Sequence, residues 1–385
     1  MELLELEVYS ENLELIGVVD EFVSLIWTRR FYNVGVFELR APITENNIKL
    51  LQKTRYIYRP DAKETAFIKS IGESEQEGAK FITVSGAMLE GILDKRTISK
   101  DGYSPNLRET IYNHIDGSQK VTSYGFYNMS VKTDESNDES SIVNDGSDRE
   151  AIGRNLGEYA RELLIGKNRT VKIIFSPYSQ KMYCDFISGT DRSEDVVFSS
   201  ENLNIYNTEY NYSEEGCYNF VEVEATYPRY VGLQRVITDP EKEWMLKVFM
   251  GNKNANSLSL TNYYELIDAT IGEEYQFWAD ENNNVRRDVL KRVNYEDSHE
   301  KLLSLCRQYY QPYTENFAGT AIGDGYRSEW QVGDYVTIKD DKRNGSYIKQ
   351  IEEVTEVFEA GGKRIDIVFG EALRTILDLI KEAGR

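Results

Sequence analysis

The feature that most constrains this chain is a unit written twice, once toward each end. FIKSI runs from Phe67 to Ile71 and GAMLEGIL from Gly86 to Leu93; YIKQI runs from Tyr347 to Ile351 and GEALRTIL from Gly370 to Leu377. Each copy reads aromatic-Ile-Lys-x-Ile, a polar turn, an alternating strand (KFITVS from Lys80, RIDIVF from Arg364), and a glycine. Leu, Ile and Leu then follow at offsets of three, six and seven. Ile68, Lys69 and Ile71 align with Ile348, Lys349 and Ile351, and Gly86, Leu89 and Leu93 with Gly370, Leu373 and Leu377, the second copy being four residues longer in its turn. Upstream of each lies a further short alternating run, RYIYR from Arg55 and DYVTI from Asp334. Alternation buries one face and exposes the other, and the glycine lets the chain leave its last strand sharply. The pattern predicts a repeated β-meander ending in a helix start. Two copies some 280 residues apart do not make a solenoid; they suggest two similar barrels or sandwiches in one polypeptide.

A chain of 385 residues has room for two to four domains. Its 27 tyrosines outnumber its 15 phenylalanines, a balance that favours strands and contact surfaces over purely buried packing. The formal net charge of −20 argues against nucleic-acid binding, which needs clustered Lys and Arg. No apolar run reaches the roughly 18 residues of a membrane span, and the opening MELLELEVYSENLEL is acidic where a signal peptide is basic. The expectation is synthesis in a cytoplasm. Cys184, Cys217 and Cys306 are odd in number and lack CxxC spacing, which points to reduced, partly buried thiols.

Along the chain, the first hundred residues read as strand, with Gly35 turning a hairpin between Trp27 and Phe37 so that Phe37 and Leu39 share one face and Glu38 and Arg40 the other. Ser104-Pro105 opens a helix with Leu107, Ile111 and Ile115 in phase. Thr133 to Glu150 has the composition of a polar acidic loop and ends in a capping box, Ser147 to Glu150. From there Ala151, Ile152, Leu156, Tyr159, Ala160, Leu163 and Leu164 make an apolar stripe. TVKIIF and KMYCDFI then predict a hairpin. Residues 99–202 thus read as an α/β insertion into a first barrel made of 1–98 with 203–228, Leu203 to Tyr227 returning to complete it. Three domains in simple series is the open alternative. Residues 229–316 form a peripheral region with part of a second barrel, including a helix from Ser298 to Tyr310, and 317–385 hold the second meander and a C-terminal amphipathic helix.

Chemistry leaves few traces. His114 and His299 lack HExxH or HxH context, carboxylates number 65 and cannot be paired by spacing, and the acidic run at Asp134 to Glu139 lacks the register of a calcium loop. Gly323-Asp324-Gly325 and Gly361-Gly362 read as turns, not phosphate loops. No catalytic, cofactor or metal residue is assigned, and no enzymatic activity is expected.

Four segments carry a resemblance: Trp27 to Pro42, FIKSI with Val84 to Arg96, Phe317 to Ile338, and Ile367 to Ile380. In that order they resemble the tail-hub family of long-tailed bacterial viruses, related to contractile baseplate hubs and to the N-terminal region of tail-associated lysozymes. The resemblance implies a mainly β fold with two tube-type β-barrels, an inserted α/β domain and peripheral elements, assembled as a homotrimer at the virion tail tip. Two like barrels per subunit would give a pseudo-sixfold ring matching a hexameric tail tube. The implied partners are a distal tail or tail-tube protein on one side and a fibre, spike or plug on the other. DNA would pass through the channel without specific binding, and the chain itself would insert into no membrane. Three copies would carry −60 (three times −20), a charge that either disfavours adsorption of passing DNA or is simply that of an acidic bacterial-type protein. A tail-associated cell-wall hydrolase and a carbohydrate-binding tail module are the competing readings.

Overall fold

In a computed structural model the described residues are 4–76, 78–99, 102–119, 129–131, 151–164, 167–214, 220–227, 230–231, 234–235, 244–252, 260–268, 288–292, 313–323, 325–340 and 342–370. The chain divides into two compact units, one of residues 1–143, 150–210 and 316–372, the other of 144–149, 211–315 and 373–385. The fold is mainly β.

The first unit opens with strands β1 (Leu6–Tyr9), β2 (Leu15–Val19), β3 (Ser24–Arg30) and β4 (Val36–Pro42). β3 and β4 form the expected hairpin, Trp27 opposite Phe37, with Phe37 and Leu39 buried and Glu38 exposed. Gly35 is required there, since a Cβ would lie 2.5 Å from the Thr28 carbonyl oxygen. Helix α1 (Glu45–Leu50) is capped by Thr44, whose hydroxyl accepts from the Asn47 amide at 3.0 Å. The first meander follows as β5 (Tyr56–Arg59), β6 (Glu64–Gln76) and β7 (Ala79–Met88), ending in a 3-10 turn, Leu89–Lys95.

Helix α2 (Leu107–Gln119) buries Leu107, Ile111 and Ile115 as their spacing predicts. After β8 (Met129–Val131) comes α3 (Leu156–Leu164), which starts later than the sequence suggests. Gly153 at φ +88° interrupts the run and Ile152 is exposed; Asn155 then caps the helix, its side-chain oxygen accepting from the Glu158 amide. The capping box at Ser147 to Glu150 lies outside the described residues. Strands β9 (Arg169–Ser176) and β10 (Lys181–Ser188) make the predicted hairpin and complete a three-stranded sheet in the order β8-β10-β9. Among its described residues this α/β insert shows no core of its own. Its Leu107, Leu156, Tyr159 and Phe175 share one apolar cluster with Tyr9, Tyr58 and Phe67 of the first half.

Next come β11 (Val197–Phe198) and β12 (Ile205–Ser213). The second unit contains β13 (Phe220–Tyr227), a small pair β14 (Tyr230–Val231) and β15 (Gln234–Arg235), then β16 (Trp244–Asn252), β17 (Leu260–Asp268) and β18 (Asp288–Arg292), with a sheet ordered β17-β16-β13-β18. Strands β19 (Thr314–Ala321), β20 (Tyr335–Asp340), β21 (Gly345–Glu359) and β22 (Gly362–Gly370) close the described chain. The helix expected at Ser298 to Tyr310, the C-terminal helix with Leu373 and Leu377, and the acidic loop at Thr133 to Glu150 lie outside the described residues. So does most of the peripheral region.

The large sheet runs β12-β19-β22-β21-β3-β4-β7-β6-β5-β1-β2, so both meanders belong to one sheet and meet where β21 pairs with β3. Two runs of five strands have the same order, β3-β4-β7-β6-β5 and β12-β19-β22-β21-β20. Leu203 to Tyr227 does not return to the first half: β12 lies beside β19, and β13 joins β16 and β18. In a strand of alternating polarity the sequence shows that a partner exists, not which edge supplies it.

The register of the repeat also differs from its sequence alignment. A bulge at Lys69 falls between the Ile68–Gly86 and Ser70–Ser85 pairs, and a bulge at Glu352 between Ile351–Phe369 and Glu353–Val368. Beyond each bulge both hairpins close on two-residue turns, Gln76 opposite Ala79 and Glu359 opposite Gly362. The copies therefore correspond at a spacing of 283 residues, not 280, and the additional length lies before the bulge rather than in the turn. An odd shift moves every side chain to the other face. Accordingly Ile68 is 4% exposed and its true counterpart Ile351 0%, while Ile348 is 61% exposed. Ile351→Ala should cost about 2–5 kcal/mol as a core truncation, and Ile348→Ala no more than about 0.5 kcal/mol. Urea midpoints of the two variants check this, and equal losses would refute the 283-residue correspondence.

Candidate functional site

Where β3 meets β21, Trp27 stands opposite Glu356. On an alternating strand Glu356 shares its parity with Val354 and Phe358, so the chain places a carboxylate on a face otherwise given to apolar groups. It is fully buried, and four cations from four segments converge on it. Arg29 of β3 and Arg327 each reach Oε2 at 2.7 Å, Arg59 of β5 reaches it at 2.9 Å, and Lys363 Nζ of β22 lies 2.9 Å from Oε1. Arg327 is held at φ +69° in the turn after Gly325, where its amide donates to the Trp330 carbonyl.

Two further acids balance the cluster. Glu64 of β6 pairs with Arg29 and accepts from Trp27 Nε1 at 2.8 Å; Asp61 accepts from Arg59 Nε at 3.1 Å and Nη2 at 2.5 Å. The Arg59 guanidinium also lies 5.4 Å from the Trp27 ring centroid and 4.9 Å from that of Phe358, so its plane is covered as its edges are bonded. The seam is extended by a Thr28–Thr355 hydroxyl pair at 2.9 Å and by Arg30 Nε donating to Glu353 at 2.6 Å.

Burial alone would raise the Glu356 pKa, but Arg29, Arg59 and Arg327 outweigh it and hold the carboxyl far below the ordinary carboxylate range. For Arg29, burial works against the charge, and Glu64, Tyr326 and Glu356 more than restore it, so its pKa stands above the ordinary guanidinium value. Groups fixed this firmly in their charged forms do not exchange protons near neutrality. The arrangement is a clasp between the two meanders.

Three smaller latches attach the insert. Lys172 Nζ of β9 donates to the Arg30 carbonyl at 2.7 Å and sits 3.1 Å from Glu90. Buried Asp334 accepts from the Thr190 amide at 3.0 Å and from Arg192 Nε at 3.1 Å. Gln350 Nε2 donates to Asn168 at 2.9 Å and to the Gly333 carbonyl at 2.8 Å, while Asn168 donates to the Gly189 carbonyl at 2.9 Å.

Of the repeat residues singled out by sequence, Ile68 and Gly86 pair with each other, Lys69 is the bulge, Ile71 is half-buried, and Leu89 and Leu93 are buried in the 3-10 turn. Ile348 and Lys349 pair with Thr337 and Val336 on β20, Ile351 is buried opposite Phe369, and Gly370 has φ +80° opposite Asn316. The described ones among these residues build the walls. Arg29, Arg59, Arg327, Glu64, Glu356 and Lys363 went unremarked in the sequence. The available signal was Glu356 on the inward parity of β21 and the lone Arg59 closing an apolar strand. Among the described residues no group of three or more His, Cys, Asp or Glu is placed to hold a metal ion. His114 is buried with its ring 5.5 Å from that of Tyr159, and burial pushes the Cys184 thiol well above its ordinary range. His299, Cys217 and Cys306 lie outside the described residues.

Glu356→Gln keeps the volume and removes the charge, leaving Arg29 and Arg59 buried beside a neutral amide. The expected loss is about 3–5 kcal/mol, measured by the denaturant midpoint at pH 7. Because the folded pKa is depressed, the contribution is whole above the ordinary carboxylate pKa and disappears as pH falls from there toward the folded value. The gap between wild type and variant should therefore narrow in acid, and a gap independent of pH would refute the assigned role.

The family model described as Siphovirus ReqiPepy6 Gp37-like protein matches residues 5–229. No curated protein sequence matches the chain. Among solved structures, the prophage tail protein gp18 from Listeria monocytogenes EGD-e is similar with a TM-score of 0.52 at 12% identity, over 99% of this chain and 98% of that one. The tail protein from Neisseria meningitidis MC58 is similar with a TM-score of 0.53 at 11% identity, over 96% of each chain. At these identities the likeness is one of fold.

Proposed function

The chain belongs to the Siphovirus ReqiPepy6 Gp37-like family and is a phage tail or baseplate protein of siphovirus type, and on that premise we propose that it is the hub of the tail tip. Three copies form a ring whose six like walls match a sixfold tail tube or distal tail ring on one side and carry a fibre, spike or plug on the other. DNA passes through the channel without specific contacts. The observation that supports this reading is the doubled five-strand order within a single sheet, with a bulge at the corresponding place in each copy. A threefold assembly of such chains offers six similar faces, so it can mate with a hexamer without a gross mismatch.

A glycosidase needs a carboxyl raised toward neutrality to serve as its acid. The described carboxyls that depart from their ordinary values, Asp191, Asp340 and Glu356, are all lowered. The proposed role is assembly and gating, with peptidoglycan cleavage and receptor recognition left to neighbouring proteins.

Light scattering on the full chain, alone and mixed with a tail-tube protein, should give the mass of three chains, and class averages should show six lobes. A stable dimer in both conditions refutes the threefold hub. A zymogram on purified peptidoglycan should stay unclear; clearing would favour the hydrolase.

A further inference from the structure

Lys69, Lys95 and Arg96 gather at one place on the first copy of the repeat. Lys69 lies in the bulge of β6, outside the ladder between the Ile68–Gly86 and Ser70–Ser85 pairs, and a bulge re-aims the side chain it carries. Lys95 closes the 3-10 turn, and Arg96 follows it. The Lys69 and Lys95 ammonium groups stand 5.1 and 4.3 Å from the centroid of the same ring, that of Phe67. Two charges so placed are closer than a Debye length, about 10 Å at 0.1 M salt, and repel each other.

Both lysines are exposed, and among the described residues neither forms an ion pair. The adjoining acids are engaged elsewhere, Asp94 with Arg161 at 2.7 Å and Glu90 with Lys172 at 3.1 Å. Partial desolvation, then Lys69 and Arg96, lower the proton affinity of Lys95, with no carboxylate offsetting them.

The second copy shows that the fold does not require this arrangement. At the 283-residue correspondence Phe67 answers to Gln350 and Lys69 to Glu352. Gln350 is buried and donates to Asn168 and to the Gly333 carbonyl, while the Glu352 carbonyl accepts from the Phe31 amide. The same bulge thus forms with an acid and without a ring. Acids outnumber bases in this chain, 65 to 45, so mutually repelling cations left together against that excess point to an anion from outside.

We propose that Lys69, Lys95 and Arg96 form a docking site for an acidic polypeptide segment of another protein, its carboxylates lying across the two ammonium groups beside Phe67. Phe67 is 4% exposed, and the fixed ring restrains both lysines, so less side-chain freedom is lost on binding. Carboxylates reaching such a site gain charge-assisted hydrogen bonds and relieve the repulsion between the cations. A short acidic segment suits it better than a nucleic acid does. Three cations neutralise few phosphates, and a net charge of −20 repels a long polyanion more than a short one. Because Gln350 and Glu352 stand at the equivalent place, each chain offers one such site. The inference is independent of the hub reading, since a monomer carries the complete site.

The test uses the full chain and a fluorescently labelled hexaglutamate peptide, with hexaglutamine as the neutral control, followed by anisotropy at low salt. Wild type should bind one hexaglutamate per chain, at least tenfold more tightly than hexaglutamine, and added salt should weaken the complex. Lys69→Glu with Lys95→Glu, both at exposed positions, should lower the affinity at least tenfold. Lys181→Glu, at an exposed position of β10, should leave it unchanged. A second readout needs no variant. Hexaglutamate should slow acylation of wild-type Lys69 and Lys95 by a succinimidyl ester, mapped by mass spectrometry, and leave Lys181 labelling at its original rate.

Absence of binding, equal affinity in the double variant, two peptides per chain, or unprotected Lys69 and Lys95 each overturns the site. A single-stranded hexanucleotide that binds more tightly than hexaglutamate assigns the site to nucleic acid and overturns the polypeptide reading. A chain that binds hexaglutamate as stated but forms a stable dimer keeps this site and overturns the threefold hub. A threefold assembly that ignores the peptide does the reverse.

Discussion

One buried carboxylate holds the two halves of the large sheet in register. Glu356 of β21 faces β3 with Arg29, Arg59, Arg327 and Lys363 around it, and Arg29 and Arg59 come from strands 327 and 297 residues away in sequence. Net stabilisation from such a cluster is modest, because several charges have lost water. Its greater effect is on choice among alternatives. A slip of β21 by one residue would carry Glu356 to the opposite face, away from Arg29 and Arg59, and would strand three guanidinium groups. Apolar pairs such as Val354 with Ile367 and Ile351 with Phe369 tolerate neighbouring registers far better than this site does. Backbone pairing makes the sheet, and the clasp selects which sheet is made.

Much of the wall was legible because it follows from alternation. The β3–β4 hairpin, the faces of Phe37 and Leu39, the β9–β10 hairpin and the buried stripe of α2 all follow from local periodicity. The seam was not legible, because hydrogen bonds between Arg29 and Glu356 span a sequence distance that no periodic pattern reports. The repeat fell between these cases. The similar letters of FIKSI and YIKQI mark two strands, yet matching them letter for letter ignores that the arm before the second bulge is longer. The outcome is Ile348 in solvent where Ile68 is buried. Pairing partners, not identities, define equivalence in a sheet.

The register found in the structure turns the divergence between the copies into information. At equivalent positions Val357 answers to Ser74, Phe358 to Glu75 and Glu356 to Glu73. Where β3 covers the strand, Val354, Glu356 and Val357 are buried; on the other copy Ser70 and Gly72 to Gln76 are exposed and mostly small or polar. Lys363 and Lys80 are alike in both copies because each lies on the returning strand, which is paired to the hairpin in either case. The backbone has kept one plan while the side chains record what covers each copy.

Coverage also explains how an open edge can persist. An exposed strand with satisfied donors on one side only is a template for indiscriminate pairing, and charged residues along it are the usual protection. Glu73, Glu75 and the turn near Gly78 serve that purpose on β6. Protection by charge differs from protection by closure, because a charge repels like partners and admits complementary ones. The same acids that keep two β6 edges apart therefore leave that edge open to a strand of complementary charge. An edge of this kind discriminates against its own like-charged copy and in favour of a strand of opposite charge.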